Sequence, residues 1–347
     1  MDRRYRNIEA RTQVRPNRFK CSIMSRLRTI LLLVVALGLL FVAGPQVKTE
    51  GSLAKLDEVQ AGGDVDAWLL EGERRFDDIE VGKAKRIVWN GEPGSQTEFS
   101  IVYLHGFSAS SFETKPFPDS VAAALGANLF YTRISGHGRT GEALGKSMAE
   151  EWLQDTVEGI RVAEAIGEKV IIIGTSTGAT LAAWAAVQDE LRSSVVAQIW
   201  ISPNFAPADE RSKMLLWPWG RTLLNIIQVD TYSWEPQNEL HAAIGNQAYG
   251  SDVLLQVMGL VEMVRNLNFD QVETPVFMVY SPTDTVIDQR VSEDVWETLG
   301  SAKKDSMVVL RALDQNNHVI VGEALGPDNI RPILERVLEF VRESEGG

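Results

Sequence analysis

The stretch Val170-Ile-Ile-Ile-Gly174-Thr-Ser176-Thr-Gly178-Ala-Thr-Leu181 decides the fold. Its first part, Val170–Ile173, is wholly apolar, which is typical of a strand covered on both faces of a parallel sheet. Its last part leads into an alanine-rich helix predicted over Ala179–Val187. The pattern G-x-S-x-G therefore lies between a buried strand and a helix, where it forms a sharp turn that exposes a serine hydroxyl.

The two motif glycines, Gly174 and Gly178, have a steric reason. A turn this tight forces the central residue into a strained backbone conformation, and side chains two residues to either side would collide. The turn holds the Ser176 hydroxyl at a helix N-terminus, whose dipole favours developing negative charge. This pattern predicts that Ser176 is a nucleophile; the alternative is a glycine-rich turn that only connects a strand to a helix.

A serine nucleophile needs a base and an acid that orients the base. His318 is the only histidine beyond residue 241, and it follows the last predicted strand. Asp284 follows the predicted strand Val276–Tyr280, so both residues lie where the carboxyl ends of parallel strands meet ligands. We predict His318 as the base and Asp284 as the acid. Asp288 is the alternative acid, although it directly precedes a predicted helix and is better placed as its cap.

A second loop, His105-Gly106-Phe107-Ser108, ends the predicted strand before it. In a hydrolase of this design, such a loop gives one backbone N–H to an oxyanion hole, and the residue after the nucleophile gives the other. By motif position these donors are Phe107 and Thr177, with Gly106 as a motif glycine. His105 is predicted to hold the loop by hydrogen bonding.

The order of predicted elements indicates an α/β fold with a mainly parallel sheet, because strands alternate with helices. Strands are predicted at 86–89, 99–104, 128–132, 170–173, 195–202, 276–280 and 307–310. Helices are predicted at 66–76, from a capping box at Ser147 to Gly167, and at 179–187, 251–267, 289–299 and 327–343.

One stretch interrupts the alternation. Between two strands lie about seventy residues, which is too long for a plain crossover. We predict a helical cap at about 206–270, without a clear strand of its own. Trp217 and Trp219 within it are candidates for lining a substrate pocket, and the alternative is that they pack the cap onto the sheet.

The N-terminus suggests a separate organisation. A basic segment, 1–29, precedes an apolar segment, 30–45, in which Ile30–Ala43 is unbroken. Fourteen helical residues reach only about 21 Å, so this is a short signal-anchor or the core of a cleaved signal peptide; a buried helix is the remaining alternative. The positive flank predicts a membrane-anchored protein with its catalytic domain exported, or a secreted or periplasmic protein after cleavage. A tether, 46–64, would then lead to the main domain, 65–345.

The composition excludes several classes. The chain of 347 residues is 44% apolar and 23% charged, as in ordinary globular proteins. Residues 1–29 hold nine Lys/Arg and two Asp/Glu, which leaves a net charge of −20 on the remainder; this acidic body excludes nucleic acid as a partner. A single cysteine, Cys21, excludes an intramolecular disulfide. No metal-ligand spacing and no dinucleotide or P-loop motif is found, so we predict no metal and no cofactor.

Taken in order, the motifs resemble those of the α/β-hydrolase superfamily over roughly residues 85–343. The closest resemblance is to the branch of monoacylglycerol lipases and lysophospholipase-like proteins of the serine aminopeptidase S33 type. The motifs are His105-Gly106-Phe107, Ser135-Gly136-His137-Gly138-Arg139, Gly174-Thr-Ser176-Thr-Gly178, Ser281-Pro-Thr-Asp284 and His318-Val-Ile.

The resemblance implies a twisted, mainly parallel sheet flanked by helices, with a helical cap inserted after the sixth strand. Thr175 stands where many relatives carry histidine, which weakens any transfer of lipase specificity. We expect a serine hydrolase that cleaves carboxylic esters, with a small-molecule or lipid-like substrate and membrane contact through the N-terminus. The alternatives are an amidase or aminopeptidase, for which Glu239 and Glu262 could bind a substrate amine, and a non-catalytic binding protein.

Overall fold

The computed structural model describes residues 18–51, 64–226 and 230–345. The chain divides into two compact units, one that ends at Pro45 and one that begins at Gln46. Residues 1–17 of the predicted basic segment and residues 52–63 of the predicted tether lie outside the described residues.

The first unit contains one helix, α1 (Arg18–Val42). It includes most of the predicted apolar segment, and its large apolar side chains from Leu27 to Val42 are exposed. Within the described residues, no helix combines the length and the hydropathy needed to cross a membrane.

The second unit alternates strands and helices, as the sequence predicts. Its strands are β1 (Arg86–Val88), β2 (Thr97–Leu104), β3 (Asn128–Tyr131), β4 (Gly167–Thr175), β5 (Val195–Ile201), β6 (Thr231–Ser233), β7 (Ala248–Gly250), β8 (Val276–Tyr280) and β9 (Lys304–Val308). Its α-helices are α2 (Val65–Glu73), α3 (Phe117–Leu125), α4 (Gly141–Gly145), α5 (Ala149–Ile166), α6 (Thr177–Ala186), α7 (Asp189–Arg192), α8 (Gly220–Ile226), α9 (Glu239–Ile244), α10 (Val253–Arg265), α11 (Gln289–Thr298) and α12 (Ile330–Glu345).

Seven strands form one sheet in the order β1-β3-β2-β4-β5-β8-β9. Only β1 runs antiparallel to its neighbour, β3, and every other pair is parallel. The carboxyl ends of the parallel strands therefore meet at one edge of the sheet, where their loops gather.

The two faces of the sheet carry separate cores, because successive side chains of a strand point to opposite sides. Along β2, Val102 and Leu104 join a cluster with α5, α6 and α10. Ile101 and Tyr103 join the opposite cluster with α3 and α12. The central strands are covered on both faces, which explains why β4 is apolar at consecutive positions.

The structure corrects the prediction about the inserted segment in two respects. Among the described residues, the insertion lies between β5 and β8, so it follows the fifth strand of the central sheet rather than the sixth. The segment also has strands of its own, since β6 and β7 form an antiparallel pair that the sequence did not predict. Its longest helix, α10, buries most of its apolar positions in the core on the α6 side of the sheet.

Two predicted boundaries are also wrong. Helix α5 begins at Ala149, so the residue before it is Met148, whose N–H donates to the Glu151 carboxylate at 2.8 Å. The Ser147 hydroxyl instead donates to the Leu144 carbonyl at 2.8 Å. Strand β9 covers Lys304–Val308 and not 307–310, because an edge strand can expose polar side chains and lacks a long apolar run.

The described beginning of the predicted tether, residues 46–51, belongs to the second unit and packs within it. The Trp184 indole N–H of α6 donates to the Gly51 carbonyl at 3.3 Å. The Glu50 N–H donates to the carboxylate of Glu150 on α5 at 3.1 Å. Residues 46–51 thus pack on the helical layer that carries α5 and α6.

A buried ionic cluster joins α2, α5 and the loop after β3. Arg133 donates to both carboxylate oxygens of Glu73, at 2.8 and 2.7 Å, and these side chains are only 4% and 8% exposed. Lys85 pairs with Asp155 and Glu158 beside them. These five residues line part of a cavity of about 670 Å³ that contains no residue of the predicted catalytic set. The cluster holds two cations and three carboxylates, and every one of these groups has an ion-pair partner within it.

Replacing Glu73 with alanine is expected to destabilise the fold by about 3–5 kcal/mol, because it leaves the Arg133 guanidinium buried without its partner. Urea unfolding at neutral pH measures the change. Glu71→Ala is the matched control on the same helix, since Glu71 faces Arg74 at 3.7 Å with both side chains more than half exposed; its expected cost is below about 1 kcal/mol. Equal losses in the two variants would contradict this assignment.

Candidate active site

The turn between β4 and α6 holds Ser176 in a strained conformation. Its φ of 52° and ψ of −117° lie outside the regions that a serine normally adopts. Its N–H donates to the Ile201 carbonyl of β5 at 2.8 Å, and its own carbonyl accepts from Ala179 and Thr180. The surrounding backbone therefore fixes the position from which the hydroxyl projects.

The motif glycines are required by close backbone contacts. A Cβ atom on Gly178 would lie 2.0 Å from the Leu104 carbonyl oxygen and 2.7 Å from that of His105. A Cβ atom on Gly174 would lie 2.6 Å from the Gly178 carbonyl oxygen. The first contact allows the start of α6 to approach the end of β2, which brings the loop after β2 beside Ser176.

Three side chains from distant parts of the chain meet at this point. The His318 Nε2 atom lies 2.9 Å from the Ser176 hydroxyl oxygen, and His318 Nδ1 lies 2.7 Å from Asp284 Oδ2. All three residues are buried, with Ser176 7% and His318 8% exposed. Burial alone lowers the pKa of His318, but the hydrogen bond and charge of Asp284 outweigh it, so the pKa is raised above its ordinary value.

The structure also separates the two candidate acids. Asp284 Oδ1 accepts the N–H groups of Val286 and Ile287 at 2.8 and 3.1 Å, which orients Oδ2 toward His318. Asp288 accepts the Arg290 N–H as the cap of α11 and pairs with the Arg290 side chain. Asp284 is thus the carboxylate that contacts the imidazole.

The loop that carries His318 is shaped by Asp314. Its carboxylate accepts the N–H groups of Asn316, His318 and Val319 at 3.0, 2.9 and 2.8 Å. Burial raises the pKa of Asp314, but the hydrogen bonds from these donors lower it by more, so the pKa lies below its ordinary value. The sequence did not predict this role, because a carboxylate that folds its own loop has no spacing signature.

In the loop after β2, the backbone N–H groups of the residues before and after Phe107 are both hydrogen-bonded within the protein. The Gly106 N–H donates to Glu113 Oε2 at 2.8 Å, and the Ser108 N–H donates to His137 Nε2 at 3.0 Å. Between them, the Phe107 N–H has no protein acceptor among the described residues, and the same holds for the Thr177 N–H. The backbone N–H groups of Phe107 and Thr177, the two predicted oxyanion donors, are therefore available to bind a ligand.

Two buried histidines support this loop, as predicted for His105. His105 Nδ1 donates to the Gly106 carbonyl at 2.9 Å, and its Nε2 accepts the Ile134 N–H at 3.2 Å. Burial lowers the pKa of His105 to about 4, and burial together with the charge of His105 lowers that of His137. Both rings are neutral at physiological pH, which leaves each with a nitrogen that can accept a backbone N–H.

Residues 234–250 of the insertion contact both loops. The Gln237 amide donates to Asp314 Oδ1 at 2.6 Å and accepts the Gln315 N–H at 2.9 Å. On the other loop, the Asn246 N–H donates to the Ser108 carbonyl at 2.8 Å. This segment therefore ties the His318 loop to the loop after β2.

The predicted tryptophans lie on the surface of the insertion. Trp217 is 52% exposed and Trp219 is 36% exposed. Aromatic side chains do gather beside the loop after β2, where Phe107 contacts Trp152 and Tyr249 at centroid distances of 5.9 and 5.3 Å. The role of Trp217 and Trp219 in substrate binding stays a prediction.

The arrangement can transfer a proton from a hydroxyl to an imidazole whose other nitrogen is held by a buried carboxylate. In the described part of the chain, no group of three or more His, Cys, Asp or Glu side chains could hold a metal ion.

Comparison with known proteins bears on the family and the fold. The family described as "Serine aminopeptidase, S33" matches residues 95–323. No protein among those with curated descriptions matches the sequence.

Three solved structures share the fold. One, from work on LipS and LipT, two metagenome-derived lipolytic enzymes, has a TM-score of 0.62 and 18% identity and covers 76% of this chain and 99% of its own. The monoacylglycerol lipase of Paleococcus ferrophilus has a TM-score of 0.56 and 15% identity, covering 74% and 98%. A soluble variant of monoglyceride lipase from Saccharomyces cerevisiae has a TM-score of 0.55 and 13% identity, covering 75% and 91%.

Replacing Asp314 with alanine is expected to destabilise the fold by about 3 kcal/mol, because three backbone N–H groups lose a charged acceptor. Since the pKa of Asp314 is lowered on folding, its contribution is complete above the ordinary aspartate pKa of about 4 and is lost as the pH falls below that value. Unfolding in urea at pH 7 and at pH 3 measures both effects. Asp288→Ala is the control, with an expected loss of about 1 kcal/mol from its helix cap; a difference between Asp314→Ala and the parent that is independent of pH would contradict the assignment.

Proposed function

Because the chain belongs to the serine aminopeptidase S33 family of hydrolases, we propose that it cleaves carboxylic esters through Ser176, His318 and Asp284. The observation that carries the proposal is the continuous hydrogen-bonded chain from the Ser176 hydroxyl through both nitrogens of His318 to Asp284. Its order along the sequence, Ser-Asp-His, is the order of α/β-hydrolases.

In the first half of the reaction, the Ser176 Oγ attacks the acyl carbonyl carbon while His318 Nε2 takes its proton. The Thr177 and Phe107 N–H groups bind the oxyanion that forms. The tetrahedral intermediate then breaks its bond to the alcohol oxygen, and His318 gives that oxygen its proton. An alcohol leaves, and the acyl group remains on Ser176.

In the second half, water attacks the acyl-enzyme as His318 removes its proton. The intermediate releases the carboxylic acid, and the proton returns from His318 to Ser176. In both halves Asp284 keeps the imidazole in the required tautomer and stabilises its protonated form. No cofactor enters these steps.

We propose a neutral ester with an apolar acyl group, lipid-like or of medium chain length, as the substrate. The acidic body disfavours polyanionic substrates. Phe107, whose N–H is a proposed oxyanion donor, packs its ring against Trp152 and Tyr249, so the surroundings of that donor are apolar. The three similar structures are those of a lipolytic enzyme, a monoacylglycerol lipase and a monoglyceride lipase.

The second candidate is an amidase or aminopeptidase, which the family description favours. A substrate amine would need free carboxylates near the triad. Glu262 instead pairs with Arg265 on its own helix. Glu239 lies in the first turn of α9 and is exposed. Glu262 is thus not free to bind a substrate amine, and we keep ester hydrolysis as the first candidate.

Ser176→Ala is expected to lower kcat on p-nitrophenyl esters by on the order of 10⁵-fold or more, and His318→Ala by a similar factor, since the triad acts as a unit. A fluorophosphonate probe should label Ser176 of the parent and not the alanine variant. Asp288→Ala is the control and should keep kcat within about threefold, because it changes a helix cap. Full activity of Ser176→Ala would refute the proposal, and absence of labelling in the folded parent would favour a binding protein.

The kcat/KM of the parent should fall on the acid side with an apparent pKa above 6.5, because a raised His318 pKa means that the imidazole protonates earlier as the pH falls. Asp284→Asn should lower this apparent pKa. A series of esters of increasing chain length, run beside aminoacyl amides, separates the two candidate substrates. Faster turnover of the amides would favour the aminopeptidase.

The location of the protein stays a prediction. We propose that the apolar residues 30–43 hold the chain at a membrane with the hydrolase unit exported, supported by the exposed apolar side chains of α1. Protease added to intact cells should then degrade the hydrolase unit, and alkaline carbonate should leave the full-length chain in the membrane fraction. A shorter chain in the soluble exported fraction would indicate a cleaved signal peptide, and a chain that stays protected after the outer envelope has been opened would exclude export.

A further inference from the structure

Glu113 is a buried acid that the triad mechanism does not use. It is 4% exposed and lies in the segment between β2 and α3. Its Oε2 atom accepts the Gly106 N–H at 2.8 Å and the Tyr103 hydroxyl at 3.1 Å. A carboxylate buried beside a reactive site is costly unless its contacts compensate for the loss of water.

The carboxylate lies directly against the loop after β2. A Cβ atom on Gly106 would be 2.6 Å from Glu113 Oε1, so only glycine allows this approach. The backbone of the same segment also reaches the loop of His318, because a Cβ atom on Gly322 would lie 2.8 Å from the Glu113 carbonyl oxygen. The Glu323 N–H donates to the Lys115 carbonyl at 2.7 Å. Glu113 therefore sits between the two loops that flank Ser176.

The hydrogen bond from the Gly106 N–H to Glu113 helps to determine which backbone N–H of the loop can bind a ligand. Glu113 holds the N–H before Phe107, and His137 holds the N–H after it. With both neighbours fixed, the orientation of the Phe107 peptide is set from its two ends. A loop fixed in this way has its oxyanion donor aligned before substrate binds, which is how such sites lower a barrier.

Glu113 also acts on His318 through its charge. Burial raises the pKa of Glu113 to about 7, while the Gly106 N–H, His318 and Tyr103 oppose the rise. In return, the negative charge of Glu113 raises the pKa of His318, together with the larger effect of Asp284 and the smaller one of Asp314. The acids whose charges act on the imidazole thus come from three segments of the chain, the loops after β8, β2 and β9, and among them Asp284 contacts the ring.

We propose that Glu113 is a positioning residue that aligns the Phe107 N–H through Gly106 and, in its ionised form, stabilises protonated His318 by its negative charge. The inference rests on the proposed function of the triad. It assigns Glu113 a part in the transition state without contact with the substrate, since both the oxyanion and the imidazolium exist there and not in the resting enzyme.

Glu113→Gln is the decisive variant, because an amide oxygen can still accept from Gly106 while the charge is lost. We expect kcat on the preferred ester to fall about 10–100-fold with KM within about threefold. The acid limb of the kcat/KM profile should move about half a pH unit toward lower pH, because the charge of Glu113 no longer raises the pKa of His318. Thermal unfolding of the same samples shows whether the fold is intact.

Glu323→Gln is the matched control, because it removes one negative charge from an exposed residue whose backbone N–H is bonded to the same segment. It should leave kcat and the acid limb at the parental values. An acid limb that does not move in Glu113→Gln, at any kcat, overturns the proposal, as does a kcat within threefold of the parent.

Glu113→Asp decides the matter if the glutamine variant does not fold. It keeps the charge but withdraws the carboxylate by one methylene, so the bond to Gly106 lengthens. We expect the acid limb at its parental position and kcat about tenfold lower, and an unchanged kcat overturns the proposal. Ser176→Ala, measured in parallel, separates the two hypotheses: if it remains active the triad assignment fails, whereas if it is inactive and Glu113→Gln behaves like the parent, only the role of Glu113 fails.

Discussion

The close approach of α6 to the end of β2 is the contact on which the site depends. At Gly178 there is no room for even one carbon atom beyond the backbone, since a Cβ atom would meet two carbonyl oxygens of residues 104 and 105. This contact brings the N-terminus of α6, with Thr177, against the loop that contains Phe107. The strained Ser176 lies at the same junction, so one packing constraint sets the nucleophile and both proposed oxyanion donors.

Around this junction, buried carboxylates organise the loops by accepting backbone N–H groups. Glu113 does so for Gly106, Asp155 for Ser135 at 2.6 Å, Asp284 for Val286 and Ile287, and Asp314 for three residues of its own loop. Bonds of this kind are stronger than those between neutral groups, and they hold loops that have no strand partners. The environments differ, because the several donors to Asp314 lower its pKa while burial dominates at Glu113 and raises its pKa to about 7. The hydrogen bonds accepted by Glu113 and by Asp314 therefore depend on pH in different ranges, although both carboxylates organise loops beside Ser176.

The sequence predicted those parts of the molecule whose residues carry a periodic or motif signal. The apolar runs of β2, β4, β5 and β8 identify buried strands, and Ser176 and Asp284 stand just beyond the ends of two of them. His318 lies in the loop after the edge strand β9. The sequence did not predict the antiparallel pair β6–β7, because its strands are three residues long and all three residues of β6 are exposed, so no alternation is visible. Glu113 was missed for another reason: a single acid in a loop has no pattern, and its meaning comes only from the Gly106 N–H that folding brings to it.

The insertion has two parts with different physical roles. The segment 234–250 is bonded to the His318 loop through Gln237 and to the loop after β2 through Asn246. The Ser110 hydroxyl adds a further bond to the Ile244 carbonyl. By contrast, Trp217 lies in an exposed stretch where half of its surface meets solvent. The segment 234–250 joins the loop that carries the base to the loop that carries the proposed oxyanion donor. A displacement of this segment therefore moves both loops. The relative position of these two loops is thus fixed by contacts of two kinds. Glu113 and its segment lie between the loops, and Gln237 and Asn246 of the insertion are hydrogen-bonded to them.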